Sequence, residues 1–483
     1  MRCFLILITL MMPAASLMGQ TNTESVAAKP TGPPNIVMLL ADDLGWTGLG
    51  CYGSDFYETP NLDALAGSGV KFTDAYAACT VCSPTRASVM TGKYPARLHL
   101  TDFIAGQNRP YAKMRIPNWT KRLQPQQQTI AELLREAGYR TGHIGKWHLS
   151  GQGNRAAGTL PTDQGFDVSI DNPQGSRGYF LKSGTRSKSG SDFTTDWLTD
   201  KACEFIDDSK SSPFFLYFAY HVPHTPIQGR ADLVESFEAK RDPTKIHNNA
   251  TYAAMVASLD QSVGRVLETL DRNGLSDHTV IIFTSDNGGL TQRYGKHDEF
   301  TENLPLRRGK GSAYEGGVRV PAIVRWPGVT KPNQVCDQPI MTIDYFPTFA
   351  QIAGLQIKGS AINNPAEIDG RSLVPLLTDP TITFDRNLYW HYPHYHAGGD
   401  GPYSAIRSGD YRLIEFHEDN SIHLYNLAND IGEQHDLAAE LPDRANKLRA
   451  ELTHWRDRVD AQMPTDNPDF DPHRATVVSK RKS

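Results

Sequence analysis

The chain has 483 residues, with 49 Lys+Arg against 54 Asp+Glu, a formal charge of −5. Hydrophobic residues make up 39% and charged residues 21%, with 40 Gly and 31 Pro. That excludes collagen-like, coiled-coil and wholly disordered chains, each of which needs a strong compositional bias. A mildly acidic chain also lacks the basic excess that nucleic-acid binding uses. A large globular protein of enzyme size remains, with length enough for up to about three domains.

The first residues read Met1-Arg2-Cys3, then an apolar run from Phe4 to Met12, then small Ala14, Ala15 and Ser16. One positive residue, a short apolar core and a small-residue region predict a secretory signal peptide over residues 1–20. The run falls short of the roughly 18 apolar residues a membrane span needs. No later stretch is apolar enough to span, so the expected location is outside the cytoplasm, periplasmic or secreted. Residues 21–34 are a polar, proline-containing linker. Removing Cys3 leaves Cys51, Cys79, Cys82, Cys203 and Cys336. An odd number in an oxidising compartment means at least one is unpaired or modified.

Asn35–Ala41 is a continuous apolar run, the pattern of a strand buried on both faces of a parallel sheet, and it stops at Asp42-Asp43. Thr59-Pro60 reads as the N-cap and first position of a helix. Thr129 with Glu132 forms a capping box for a helix that stops at Gly138. Arg140–Gly145 is a shorter strand ending in Lys146-Trp147-His148, and Pro213–Tyr220 ends in His221-Val222-Pro223-His224. Tyr252–Arg272 is a long amphipathic helix. His278–Ser285 ends in Asp286-Asn287-Gly288-Gly289. Alternating β and α elements predict an α/β fold, a large, mostly parallel sheet with helices on both faces. Open sheets of this kind bind ligands at the carboxyl ends of their strands. Singly, each string is also an ordinary turn or cap; together they bring carboxylates, an amide, imidazoles and a lysine to one edge. Asp42, Asp43, Asp286 and the Asn287 amide make a hard, oxygen-rich set suited to Ca²⁺ or Mg²⁺ rather than Zn²⁺. Three adjacent carboxylates repel one another, which a cation would relieve.

Residues 79–92 read Cys-Thr-Val-Cys-Ser-Pro-Thr-Arg-Ala-Ser-Val-Met-Thr-Gly. Cys79-x-x-Cys82 fits a redox pair with Cys82 opening a helix, and a Cys and Arg at a helix start also fit anion binding. As a whole, Cys82-Ser83-Pro84-Thr85-Arg86 followed by Thr91-Gly92 resembles the signature of the formylglycine-dependent sulfatases of the alkaline phosphatase superfamily. Asp42-Asp43, Gly145-Lys146-Trp147-His148, His224, Asp286-Asn287-Gly288, Lys310 within Leu306–Gly311, and Glu315–Pro321 are similar to that family's further motifs, in order. The likeness runs from about residue 34 to 465, and the chain resembles bacterial arylsulfatases and N-acetylgalactosamine-6-sulfatase-like carbohydrate sulfatases.

The resemblance implies that Cys82 is oxidised to formylglycine by a maturation enzyme, and that its hydrate is nucleophile and metal ligand beside Asp42, Asp43, Asp286 and Asn287. It implies one Ca²⁺, or Mg²⁺, with Arg86, Lys146 and Lys310 neutralising the sulfate. Asp286 is the implied base for attack. His224, with Lys310, would protonate the leaving alcohol, and His148 would deprotonate the second hydroxyl to release sulfate. The implied substrate is a sulfated carbohydrate. A phosphodiester or phosphonate hydrolase on the same formylglycine fold is the near alternative, and an exported Cys-x-x-Cys thiol-disulfide protein the distant one.

The expected catalytic domain spans 35–375 and includes the polar loop 361–370 near its end; a small C-terminal α+β subdomain, 376–465, and a polar tail, 466–483, follow. Ser404–Glu415 and Ser421–Leu427 read as antiparallel strands and Pro442–Arg458 as a helix opened by proline. The ring-rich string Trp390–His396 is either a packed strand-to-loop segment or a cleft wall, on which His391 and His394 would bind substrate. Gly165–Tyr179 and Gly184–Ser191 are the other expected walls.

Overall fold

The structure, a computed structural model, describes residues 32–478 except 152–157, 174, 176–177, 183, 292–300 and 356–366. The expected signal peptide, nearly all of the linker, most of the 361–370 loop and the end of the tail lie outside the described residues. The main sheet has eight strands: β1 (Asn35–Ala41), β2 (Val70–Phe72), β3 (Arg140–Gly145), β4 (Val168–Ile170), β5 (Phe214–Ala219), β6 (Thr279–Ser285), β7 (Ala322–Arg325) and β8 (Gln334–Cys336). Their order is β8-β2-β7-β6-β1-β5-β3-β4. Neighbours from β6 to β4 run parallel, while β7 is antiparallel to both β6 and β2. The four strands that the sequence ends in polar residues are therefore adjacent at the centre.

Every residue of β1 is buried, and its alternation feeds two cores. Val37, Leu39 and Ala41 pack toward the helices Pro60–Gly67, Thr194–Ser209 and Ala250–Arg272. Ile36, Met38 and Leu40 pack toward Cys82–Thr91, Ile130–Glu136 and Tyr345–Ile352. The Thr129–Glu132 capping box forms. At Thr59 the side chain makes no cap bond; its hydroxyl instead donates to Asp63 (3.0 Å). Asn249 Oδ1 caps Ala250–Arg272 by accepting from Tyr252 N (2.9 Å).

The C-terminal segment forms a four-stranded antiparallel sheet, Asn387–Tyr392, Tyr403–Ser408, Tyr411–Phe416 and Ile422–Asn426, backed by the helix Pro442–Arg458. It shares a core with the preceding segment, with Trp390, Tyr392, Leu413 and Trp455 in the same cluster as Tyr76, Val81, Tyr94 and Val318. Inside that junction Glu315 accepts from Arg412 (2.7 Å), Arg319 (3.0 Å) and Tyr76 (2.7 Å). Glu433 accepts from the Glu315 amide (2.7 Å) and faces Arg412 at 3.4 Å. Removing one member of a buried charge network strands the others. Arg412→Leu therefore costs about 3–5 kcal/mol of stability, read as a lower denaturant midpoint at unchanged slope. No helix of the described residues is long and apolar enough to cross a membrane.

Candidate active site

The carboxyl ends of β6, β1, β5 and β3 meet the N-terminus of the helix Cys82–Thr91 on one floor. Backbone bonds tie the ends together: Asp42 N to Val222 O (3.2 Å), Asp286 N to Ala41 O (3.1 Å) and Lys146 N to Ala219 O (2.7 Å). Asp43 (φ 64°) and His148 (φ 56°) sit in the left-handed region, an uncommon backbone that turns each side chain sharply off its strand.

One atom each from Asp42, Asp43, Cys82 and His224 lies within 4.8 Å of the others. Lys310 Nζ donates to both Asp43 oxygens (2.7 and 2.8 Å) and stands 3.5 Å from Cys82 Sγ. Lys146 Nζ donates to Asp42 Oδ2 (2.6 Å). Arg86, one helical turn beyond Cys82, donates from Nε to Asp286 Oδ2 (2.9 Å) and from Nη1 to the Lys146 carbonyl (2.7 Å). Asp286 Oδ1 accepts from Asp43 N (3.2 Å), and Asn287 Nδ2 donates to Asp43 Oδ1 (2.7 Å).

These pairings set the charges. Burial works to raise Asp42, but Lys146, His224, Arg86 and Lys310 hold it well below the usual carboxylate range. Asp43 is likewise lowered against burial, chiefly by Lys310 and His224. Burial and the neighbouring Asp42 push Asp286 up to about 6 despite Arg86. Burial pushes the Cys82 thiol up to about 12 and His224 down to about 4. His148 falls well below its ordinary value through burial and then Lys146.

Two oxygens of this floor, Asp42 Oδ1 and Asn287 Oδ1, are buried with no hydrogen-bond partner among the described residues. Buried acceptors left unpaired are costly. Beside the Asp43 and Asp286 carboxylates they make the all-oxygen set a hard cation takes, so the residues fit a Ca²⁺ or Mg²⁺ ion.

His148 is oriented from a second direction. Its Nε2 lies 2.5 Å from the Ile104 carbonyl, so Nε2 carries the proton and Nδ1, buried without a partner, is the free base. The Ile104 turn is itself held. Asp102 accepts from Phe103 N (2.9 Å), Gln107 N (3.3 Å) and Tyr392 Oη (2.8 Å), and Ser83 Oγ accepts from Ile104 N (3.0 Å).

Above the floor opens a cleft of about 810 Å³. Asp42, Cys82, Lys146, His148, His224 and Lys310 line its base, Asp171, Asn172, Tyr179 and His221 one wall, and Phe103, Gln107 and His396 another. The expected wall in 165–179 is present; the described part of 184–191 does not line the cleft. His391 and His394 do not line it either. His391 sits inside the C-terminal sheet between Ser404 Oγ (2.8 Å) and the Gln462 carbonyl (3.0 Å). His394 is fully buried, with Nε2 on Thr101 Oγ1 (2.7 Å). The member of that string facing the cleft is His396. Phe103 and Gln107 carried no motif, His221 stood in the string His221–His224 without a role of its own, and Asp171 lay within the expected wall 165–179 without being singled out.

The family model for sulfatases matches residues 34–355, about two thirds of the chain. The chain belongs to the sulfatase family. It is thus a sulfuric ester hydrolase of the alkaline phosphatase superfamily. A second model, the C-terminal part of N-sulphoglucosamine sulphohydrolase, matches residues 309–458 of this sulfatase. A sulfatase of Formosa agariphila is 35% identical over 87% of this chain and 88% of its own. N-acetylgalactosamine-6-sulfatase of Rattus norvegicus is 32% identical over 79% of this chain and 72% of its own. A crystal structure of Ps i-CgsB in complex with k-i-k-neocarrahexaose superposes with a TM-score of 0.73 at 30% identity, covering 91% of this chain and 94% of the other. The thiol-disulfide reading has no support in the sulfatase's geometry. Cys79 and Cys82 are both buried and unpaired, and burial raises both thiols, the reverse of an activated thiolate.

Proposed function

We propose that this sulfatase removes sulfate from a carbohydrate sulfate monoester, with residue 82 matured to formylglycine and one divalent cation, Ca²⁺ in preference to Mg²⁺, on Asp42, Asp43, Asp286 and Asn287. The observation that carries the reading is the juxtaposition of Cys82 with Lys310, Lys146 and Asp42 at the base of the cleft, with Asp43 held by Lys310. The solved Ps i-CgsB complex holds a neocarrahexaose, and the relatives include one named for N-acetylgalactosamine 6-sulfate, which supports a sugar over a small aryl ester. The signal-like residues 1–20 support export, and the C-x-P-x-R string supports maturation by a formylglycine-generating enzyme.

In place, the formylglycine hydrate supplies the nucleophilic hydroxyl and the cation polarises the sulfate oxygens. The chain's own residues do the rest. Lys146 and Lys310 neutralise the charge that builds on the transferring sulfuryl group. Arg86 clamps Asp286, so that carboxylate is held facing the floor, where it takes the hydroxyl proton. His224 and the Lys310 ammonium stand together beside Asp43; His224 is neutral at rest, so the proton for the departing alcohol comes from Lys310, with His224 placed to pass it on. His148, with Nε2 tied to Ile104, offers Nδ1 as the base for sulfate release.

Protein made with its maturation enzyme is expected to show a mass spectrum over residue 82 in which the thiol is replaced by the aldehyde, and to turn over aryl sulfate far faster than aryl phosphate. A wholly unmodified Cys82 in active protein, or a strong phosphate preference, overturns the reading.

A further inference from the structure

The edge strand β4 obeys the same rule as the four central strands: it ends in polar residues at the carboxyl edge, here Asp171-Asn172. Asp171 Oδ1 accepts from the Asn172 amide (2.6 Å) and from His221 Nε2 (2.8 Å). Its other oxygen, Oδ2, has no hydrogen-bond partner among the described residues, and the side chain is 51% exposed on the cleft wall while His221 is 13% exposed. The pair is built rather than incidental. His221 lies three residues before His224, and Tyr179 Oη donates to the carbonyls of both (2.5 and 2.8 Å). Asn172 Nδ2 bonds to the Gly175 carbonyl (2.9 Å) and fixes the turn that follows. Burial works to raise Asp171, but the His221 bond lowers it below the usual range, so the group is a carboxylate at neutral pH.

Among the described residues, the cationic side chains lining the cleft, Lys146 and Lys310, lie at its base and are paired with Asp42 and Asp43. The base is therefore built for one anionic group, and the wall above it carries a carboxylate. A carboxylate oxygen held by a histidine accepts well from a hydroxyl and repels a second anion.

Resting on the carbohydrate sulfatase reading above, we infer that the Asp171–His221 pair is a specificity-determining subsite that accepts the ring hydroxyl nearest the scissile sulfate and rejects a sugar whose nearest position carries a second anionic group. The preferred unit is thus monosulfated at this end, and densely sulfated units are poor substrates until a different sulfatase has removed the neighbouring group.

Matured protein is assayed on 4-nitrophenyl sulfate, on the 3-, 4- and 6-sulfates of galactose and N-acetylglucosamine, and, for the best of these, on analogues with the nearest hydroxyl deleted or sulfated. The unaltered protein is expected to favour the monosulfate over both analogues by about tenfold or more in kcat/KM. In Asp171→Asn the preference over the disulfated sugar falls about tenfold, and so does the ratio of sugar to aryl sulfate turnover. His221→Gln, which frees the carboxylate to move, is expected to lower the sugar-to-aryl ratio while keeping the bias against the disulfated unit. Ratios unchanged in Asp171→Asn, or a disulfated sugar preferred by the unaltered protein, overturn the subsite and leave the carbohydrate sulfatase reading standing, whereas turnover confined to aryl sulfate overturns the carbohydrate reading with it. Absence of turnover on every sulfate ester overturns both.

Discussion

Cys82→Ala is expected to abolish sulfate-ester turnover, with kcat/KM down by at least about four orders of magnitude, as when the nucleophile of a covalent mechanism is deleted. The fold should survive. The residue is small, it sits at a helix start, and the bonds holding Arg86, Asp286, Lys146 and Asp42 to one another do not pass through sulfur. A stability change of about 1 kcal/mol is appropriate to one buried atom. Cys79→Ala supplies the contrast. Cys79 is also buried and lies three residues away, but its contacts are to Thr85 through the backbone and it does not line the cleft, so turnover should persist. Measured together by steady-state kinetics and thermal melting, the two variants separate a nucleophile from a packed thiol. Full activity in Cys82→Ala sinks the mechanism; loss in Cys79→Ala with retention in Cys82→Ala reverses the assignment of the pair.

The parts of this site that were legible in the sequence share a physical cause. A strand buried on both faces must be apolar throughout, so the point where Asn35–Ala41 or Thr279–Ser285 gives way to carboxylates is visible without coordinates, and parallel pairing brings those points to one edge. β4 escaped because three half-buried residues are too few to show a pattern, and Asp171 escaped with it. The ring-rich string failed differently. The strand ends at Tyr392, and beyond it the course of the loop rather than a two-residue alternation sets each direction, so composition showed that imidazoles were near the junction but not which one faced the cleft. His391 and His394 turn into the sheet and onto Thr101, and His396 faces the cleft. The Asp102 turn that orients His148 draws on residues 83, 102, 107 and 392, a convergence that only the folded chain displays. The repulsion among three carboxylates also has a different resolution from the one composition suggested. Asp42, Asp43 and Asp286 each face a fixed cation, Lys146, Lys310 and Arg86, so repulsion is already relieved by the protein itself.

That balance decides what a chelator should do. With three carboxylates matched by three cationic side chains, the floor is near neutrality on its own, and what calls for a cation is the pair of unpartnered buried oxygens, Asp42 Oδ1 and Asn287 Oδ1. A divalent ion there would satisfy both and would leave the floor with an excess of about two positive charges, which would draw in an anionic ester. Chelation should therefore have two separable consequences. Turnover is lost, since the polarising charge is gone. Stability also falls, because an ion bound only by the folded chain contributes RT ln(1 + [L]/Kd), about 2.7 kcal/mol at a hundredfold excess over Kd, and the melting temperature drops by a few degrees. Ca²⁺ should restore both better than Mg²⁺, since carboxylates fixed by lysine and arginine adapt poorly to the small octahedral ion. Asn287→Leu tests the oxygen directly: it removes the unpartnered acceptor together with the Nδ2 bond to Asp43, so the protein without cation should melt lower than the unaltered protein without cation, while the increment that Ca²⁺ adds shrinks. A chelated protein that keeps its melting temperature and its turnover would rule out a cation at this floor; an undiminished Ca²⁺ increment in Asn287→Leu would place the ion on other oxygens.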